Sequence, residues 1–146
     1  ERPEAKTLEL AAEVAQASEF IARKEKGMEE PIAQGGTNVS GGQRQRLAIA
    51  RAVAKDPEIY IFDDSFSALD FKTDAALRAR LKRQTEQATV LIVGQRVSSI
   101  MDADTIVVLD EGRVVGKGVH RELLETCPVY REIAASQLSE EELSCK

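Results

Sequence analysis

The chain has 146 residues, of which 31% are charged, and a formal net charge of −5. That length suffices for one domain with a real core. The acidic balance argues against a general nucleic-acid footprint, and no apolar run approaches the roughly 18 residues that span a bilayer, so any membrane role comes through other parts.

In chain order, the start from Glu1 to Lys6 is charged with no apolar stretch behind it, which predicts no secretory leader in this sequence. Glu4 to Arg23 predicts a helix. Leu8, Ala11, Ala12, Ala15 and Glu19 share one stripe, with Val14 and Ala17 beside it. Gly27, Pro31, Gly35 and Gly36 punctuate a loop from Glu25 to Asn38. Ser40 then caps a helix running to about Lys55. Ser40 and Gln43 have capping-box spacing, Arg51 and Lys55 suit the helix C-terminus, and Pro57 blocks continuation. Glu58 to Phe62 reads as a strand. Lys72 to Gln87 reads as a second helix, with Leu77 and Leu81 one turn apart and the basic run Arg78, Arg80, Lys82 and Arg83 as a solvated face. Thr89 to Val93 is an apolar strand. Thr105 to Leu109 and Arg113 to Val115 make a hairpin across Asp110-Glu111-Gly112. His120 reads as a helix-entry residue, ahead of a helix from Leu123 to Leu138 with a break near Pro128. The polar tail from Ser139 to Lys146 is predicted to fray. Cys127 and Cys145 lack metal-ligand spacing and read as free thiols. Strands alternating with helices argue for an α/β fold with a parallel sheet.

The first chemical signal is Ser40-Gly41-Gly42-Gln43 at a helix start. A helix N-terminus exposes unpaired N–H groups and carries roughly half a positive charge, so anions bind there. Two glycines let the backbone approach a phosphate closely, and Ser40 adds a hydroxyl. Alone, these residues also read as an ordinary capped helix after a Gly-Gly turn. Arg44-Gln45-Arg46 and the later run Ile59-Tyr60-Ile61-Phe62-Asp63-Asp64 favour the phosphate reading. A carboxylate at the C-terminal end of an apolar strand, here Asp63, can hold magnesium, usually through water. Ser65-Phe66-Ser67-Ala68-Leu69-Asp70 follows at once.

With these motifs in this order, the chain resembles the nucleotide-binding domain of ATP-binding-cassette (ABC) transporters, specifically the exporter branch, over nearly its whole length. The resemblance implies a partial P-loop NTPase core of RecA-like type, with a parallel sheet plus an N-terminal α-helical subdomain. Residues 1–55 would be the helical subdomain with the signature motif, and residues 56–146 the second half of the ATP-binding core. It further implies ATP and Mg2+ as cofactors and a location on the cytoplasmic face of the cell membrane. The implied partners are a second nucleotide-binding domain in a head-to-tail dimer and the transmembrane domains, with no nucleic acid. In such a dimer Ser40, Gly41, Gly42 and Gln43 would contact the γ-phosphate held by the partner's phosphate loop. Asp63 corresponds to the Walker B aspartate. Asp70 corresponds to the D-loop aspartate at the dimer interface, a position that also reads as a helix N-cap. The segment Ile32-Ala33-Gln34-Gly35-Gly36 lies where exporters carry a loop touching the coupling helices of the membrane domains, and Gln34 stands where Glu is common.

Three departures from the family pattern matter. The sequence has no G-x-x-x-x-G-K-[ST] phosphate loop. The strand feeding that loop lies, in the family, between Thr89–Val93 and Thr105–Leu109, so an unpaired apolar edge is expected. Asp64 stands where the family usually places the Glu that activates water. Misplacement by about 1 Å can cost on the order of 100-fold in rate, and a positioned base is worth about 10²–10⁴. Gln95, within Val93-Gly94-Gln95-Arg96-Val97, stands where His is usual, and a neutral amide can donate a hydrogen bond but cannot become a cation. Both substitutions weaken one catalytic site. The resulting expectation is the degenerate-site subunit of a heterodimeric exporter, inactive as an isolated chain. The alternatives are a homodimeric exporter with Asp64 as a working base, and a non-transport ABC ATPase or dimerisation module.

Overall fold

The computed structural model describes residues 3–139 and Leu143. It divides into two compact units, Glu1–Val93 and Gly94–Lys146. The first holds α1 (Ala5–Val14), α2 (Ser18–Ala22), α3 (Gly41–Lys55), β1 (Ile59–Asp63), α4 (Phe71–Gln84) and β2 (Thr89–Val93). The second holds β3 (Ile106–Asp110), β4 (Arg113–Gly118), α5 (His120–Thr126) and α6 (Pro128–Ala135).

The helix expected from Glu4 to Arg23 is two helices. Gln16 takes a left-handed conformation, φ 56°, and the Ala17 amide reaches back to the Ala12 carbonyl at 2.7 Å. The small stripe nevertheless does what its spacing predicts: Ala11, Ala12, Val14, Ala15 and Ala17 are all buried. Small side chains let α1 lie close against α3 and α4. From α3, Ile49 and Val53 enter the same core, where they join Tyr60 and Phe62 of β1 and Leu77 and Leu81 of α4. Each such side chain contributes about 1.5–3 kcal/mol when fully buried, so α3 is held to β1 mainly by this apolar seam.

Strands β1 and β2 pair in parallel with Tyr60 opposite Val90, Ile61 opposite Leu91 and Phe62 opposite Ile92. Side chains alternate across a strand. The face of Tyr60 and Phe62 meets the helices, while Ile59, Ile61, Leu91 and Val93 remain more than half exposed on the other. Parallel sheets normally have both faces covered. Among the described residues, β1–β2 and β3–β4 are two separate two-stranded sheets, which matches the expected unpaired edge of β2.

In the second unit, β3 and β4 pair antiparallel with a register shift between Val108 and Leu109. The hairpin packs Ile106 and Val108 against Leu123, Cys127, Tyr130 and Ala134. A side chain at Gly116 would come within 2.8 Å of Cys127 Sγ, so glycine is what lets α5 approach β4. The last helical stretch begins at His120 rather than Leu123, and His120 Nδ1 bonds to the Tyr130 hydroxyl at 2.7 Å. The tail expectation falls mostly outside the described residues, as does Cys145.

Helix α4 starts one residue before the expected Lys72. Its N-cap is Asp70, whose carboxylate accepts from the Thr73 amide at 2.9 Å and the Thr73 hydroxyl at 2.7 Å. On its basic face Arg78 is not simply solvated, because it covers the buried carboxylate of Asp74 at 2.9 Å.

Two outcomes follow from this packing. Sedimentation velocity of the isolated chain should show self-association through the bare apolar sheet face, and combining Ile61→Glu with Leu91→Lys should largely remove it. The second concerns Asp70, whose carboxyl is held below the usual carboxylate range by the Thr73 side-chain bond first and the Thr73 backbone bond next. A depressed native pKa stabilises above the unfolded value and is lost as pH falls through the native one. Thermal melts of Asp70→Ala should therefore lie below the parent at neutral pH, with the gap closing on acidification.

Candidate functional site

Three pieces of the first unit converge: the start of α3, the end of β1 and the loop Asp64–Ala68 between β1 and α4. The α3 start is a complete capping box. Ser40 Oγ accepts from the Gln43 amide at 3.2 Å, and Gln43 Oε1 accepts from the Ser40 amide at 3.0 Å. The Arg44 amide bonds the Ser40 carbonyl at 2.9 Å. The box thus satisfies the amides of Ser40 and Gln43, which leaves those of Gly41 and Gly42 as the first-turn donors pointing outward. Ser40 spends a lone pair on the cap and keeps its own hydroxyl proton for donation.

The two glycines have different local reasons. A Cβ on Gly42 would lie 2.9 Å from the Ala68 carbonyl oxygen, closer than real Cβ atoms approach backbone. A Cβ on Gly41 would meet the Ala68 Cβ at 3.7 Å, an ordinary contact. Gly42 is therefore required by the packing of α3 on the loop, whereas Gly41 is not.

Asp63 ends β1 opposite Val93, with its side chain exposed. Asp64 is exposed too and takes a left-handed conformation, φ 46°, which Asp adopts more readily than most residues. Its amide continues the sheet by bonding the Val93 carbonyl at 2.9 Å. Its carboxylate is turned back on its own loop, where Oδ2 accepts from the Ser67 hydroxyl at 3.0 Å. Asp70 lies further along, and its carboxylate is committed to capping α4.

Gln95 belongs to the second unit, where its side chain is exposed. Gln137 clips the backbone on either side of Arg96: its Nε2 donates to the Gln95 carbonyl at 2.8 Å, and its Oε1 accepts from the Val97 amide at 2.9 Å. The structure thus gathers Ser40, Gly41, Gly42, Gln43, Asp63 and Asp64 in one unit, with Asp70 nearby on the same chain segment. Sequence reasoning missed Gln137 and also Gln45, which bonds the Asp64 loop. A glutamine on a helix face, like Gln45, or in the turn after a helix, like Gln137, carries no spacing signal, so only the folded geometry exposes such contacts.

The donor set fits the expected cofactors. Two free amides and a hydroxyl proton at the start of the 15-residue helix α3 suit phosphate oxygens. The exposed Asp63 carboxylate at a strand end is a hard oxygen ligand of the kind magnesium takes. A separate groove of about 310 Å³ between α3 and β1, lined in part by Arg51, Lys55 and Ile61, contains none of these residues.

A family profile described as "ABC transporter" matches residues 3–67. An uncharacterized ABC transporter ATP-binding protein of Mycobacterium tuberculosis is 52% identical over 127 residues, which is 87% of this chain and 22% of that protein. The ATP-dependent lipid A-core flippase of Alkalilimnicola ehrlichii is 48% identical over 125 residues, 86% of this chain and 21% of the relative. The corresponding flippase of Vibrio vulnificus is 41% identical over 133 residues, 91% of this chain and 23% of the relative. This chain therefore spans less than a quarter of the curated relatives it matches. Among solved structures, a bacterial Atm1-family ABC exporter with ATP bound superposes with a TM-score of 0.90 at 36% identity, over 96% of this chain and 25% of that one. Motif order, relatives and fold agree, and in all three this chain is similar to the ATP-binding domains of ABC exporters.

Proposed function

We propose that this chain is part of the ATP-binding subunit of a heterodimeric ABC exporter on the cytoplasmic face of the membrane, and that its own catalytic site is the weak one of the pair. In this reading residues 1–55 form the helical subdomain and residues 56–146 the second half of the ATP-binding core. Ser40, Gly41, Gly42 and Gln43 face the γ-phosphate of ATP held by the partner domain. Asp63 holds Mg2+ through water, Asp64 and Gln95 occupy the base and switch positions, and Asp70 lies at the dimer interface while capping α4. When bound, Mg-ATP supplies the phosphoryl group and the charge that offsets its transfer. The chain's own residues orient it and exclude alternatives: the glycine amides donate to phosphate oxygens, and Ser40 donates its hydroxyl proton.

One observation carries the proposal. The phosphate-facing helix start is fully formed, whereas Asp64, already one methylene shorter than Glu, has its carboxylate bonded back to Ser67 at 3.0 Å. A base held toward its own loop is poorly placed to align water. The exposure of Asp64 favours a second reading, a homodimer in which Asp64 works after a small adjustment. Turnover by the full-length protein purified without a second subunit separates the two.

In the assembled transporter, Asp64→Glu with Gln95→His should raise hydrolysis at this subunit's site. Gly41→Val should reduce total turnover by about 100-fold, the scale of a misplaced transition-state contact, with little change in melting temperature, because a Cβ at Gly41 meets only the Ala68 Cβ at an ordinary 3.7 Å. Retained turnover in Gly41→Val would assign the roles wrongly. The isolated chain carries no phosphate loop, so titration calorimetry with Mg-ATP should show no micromolar binding.

A further inference from the structure

We propose that Gln45 is a positioning residue that locks the Asp64–Ala68 loop to the start of α3, so that the phosphate-facing helix end and the Asp64 carboxylate move as one body. Its carboxamide is fully used on that loop. Nε2 donates to the Asp64 carbonyl at 3.0 Å and to Ser67 Oγ at 3.0 Å, and Oε1 accepts from the Ala68 amide at 2.9 Å. The two N–H groups and the carbonyl of one amide thus grip three successive points of a five-residue turn. Ser67 extends the grip. Its hydroxyl oxygen receives a proton from Gln45 and stands within hydrogen-bond reach of two acceptors on Asp64, Oδ2 at 3.0 Å and the carbonyl at 3.1 Å. A hydroxyl has a single proton, and with one lone pair taken by Gln45 that proton is directed to Asp64, at its carboxylate or its carbonyl. The path from helix to carboxylate therefore runs α3, Gln45, Ser67, Asp64.

Two further features make the lock stiff. The Gly42–Ala68 approach forbids any side chain between helix and loop. Leu69, next in the chain, is buried in the same core as Ile49 of α3. The flanking arginines cannot substitute for Gln45, because Arg44 bonds the Gly35 carbonyl at 3.2 Å and Arg46 the Gln16 carbonyl at 2.6 Å. A change in what the Gly41 and Gly42 amides bind would thus be felt at Asp64 without any large rearrangement.

The catalytic consequence rests on the exporter reading above; the lock itself does not. The test uses the full-length transporter with its partner subunit, comparing the parent with Gln45→Ala and Gln45→Glu. The Glu variant keeps the acceptor for the Ala68 amide and loses both N–H donors. Hydrogen exchange without nucleotide should be about tenfold faster across residues 64–68 in Gln45→Ala, the scale of one lost net hydrogen bond, and unchanged in the β3–β4 hairpin. In Gln45→Glu the Ala68 amide should stay protected while the rest of the loop exchanges faster. In turnover, Gln45→Ala should lower total kcat about tenfold with KM for ATP unchanged, because the helix start that serves the partner's site is no longer braced, and in exchange across residues 64–68 adding Ser67→Ala should cost less than the sum of the two single effects. Unchanged exchange across 64–68 in both variants overturns the lock. Fully additive exchange effects of Gln45→Ala and Ser67→Ala overturn the link to Asp64, and faster exchange with a raised KM and intact kcat overturns the link to the helix start. Turnover that ignores Gly41→Val as well would sink the exporter reading while leaving the exchange result to decide the lock.

Discussion

The structure of the first unit depends on how closely the start of α3 lies against the loop that leaves β1. A methyl group at position 42 would sit 2.9 Å from the Ala68 carbonyl, so the two backbones touch without side chains between them. That distance is set from behind by Ile49 and Val53 packing on Tyr60 and Phe62. The apolar seam brings helix and strand together, and glycine decides how close they come. A helix start with free amides and a strand end carrying the exposed Asp63 carboxylate then lie side by side as a result of ordinary core packing.

The motif stretch after the glycines is as much architectural as chemical. Successive residues on an α-helix point about 100° apart, so Arg44, Gln45 and Arg46 face three directions. Arg44 holds the Gly35 turn, Gln45 the loop after β1, and Arg46 the corner between α1 and α2. The turn that Arg44 grips is itself organised by Asn38, whose side chain bonds the Pro31 carbonyl at 2.9 Å and the Ala33 amide at 3.0 Å. One helical turn thereby fixes three separate stretches of chain, which is why a short sequence pattern specifies so much of this unit.

Much of this was legible beforehand. The capped helix from Ser40, the strand at Thr89–Val93 and the hairpin each carry a local signal, a capping box, an apolar run or a Glu-Gly turn, and local signals survive folding. The break at Gln16 was not legible, because neither Gly nor Pro marks it and the left-handed residue is held by tertiary contacts. Strand β4 runs through Gly116 to end at Gly118, two glycines that local rules treat as breakers; Gly116 is there to admit Cys127. Of the candidate site, the residue types and order were readable. What was not readable was the inward turn of Asp64 and the two glutamine clips, since those are facts of side-chain direction.

Arg46 illustrates how differently two kinds of charge behave in this molecule. Its guanidinium lies 4.7 Å from the centre of the Phe20 ring and donates to a backbone carbonyl, partners that carry no net charge. The ion pairs Glu19–Arg23 and Glu13–Arg80 sit in the open. Dissolved ions screen exposed pairs beyond about 10 Å at 0.1 M and weaken them further in brine, but they have little purchase on a cation shielded by an aromatic ring. The joint between the first two helices is therefore built to tolerate large swings in ionic strength that strip the decoration from the surface around it.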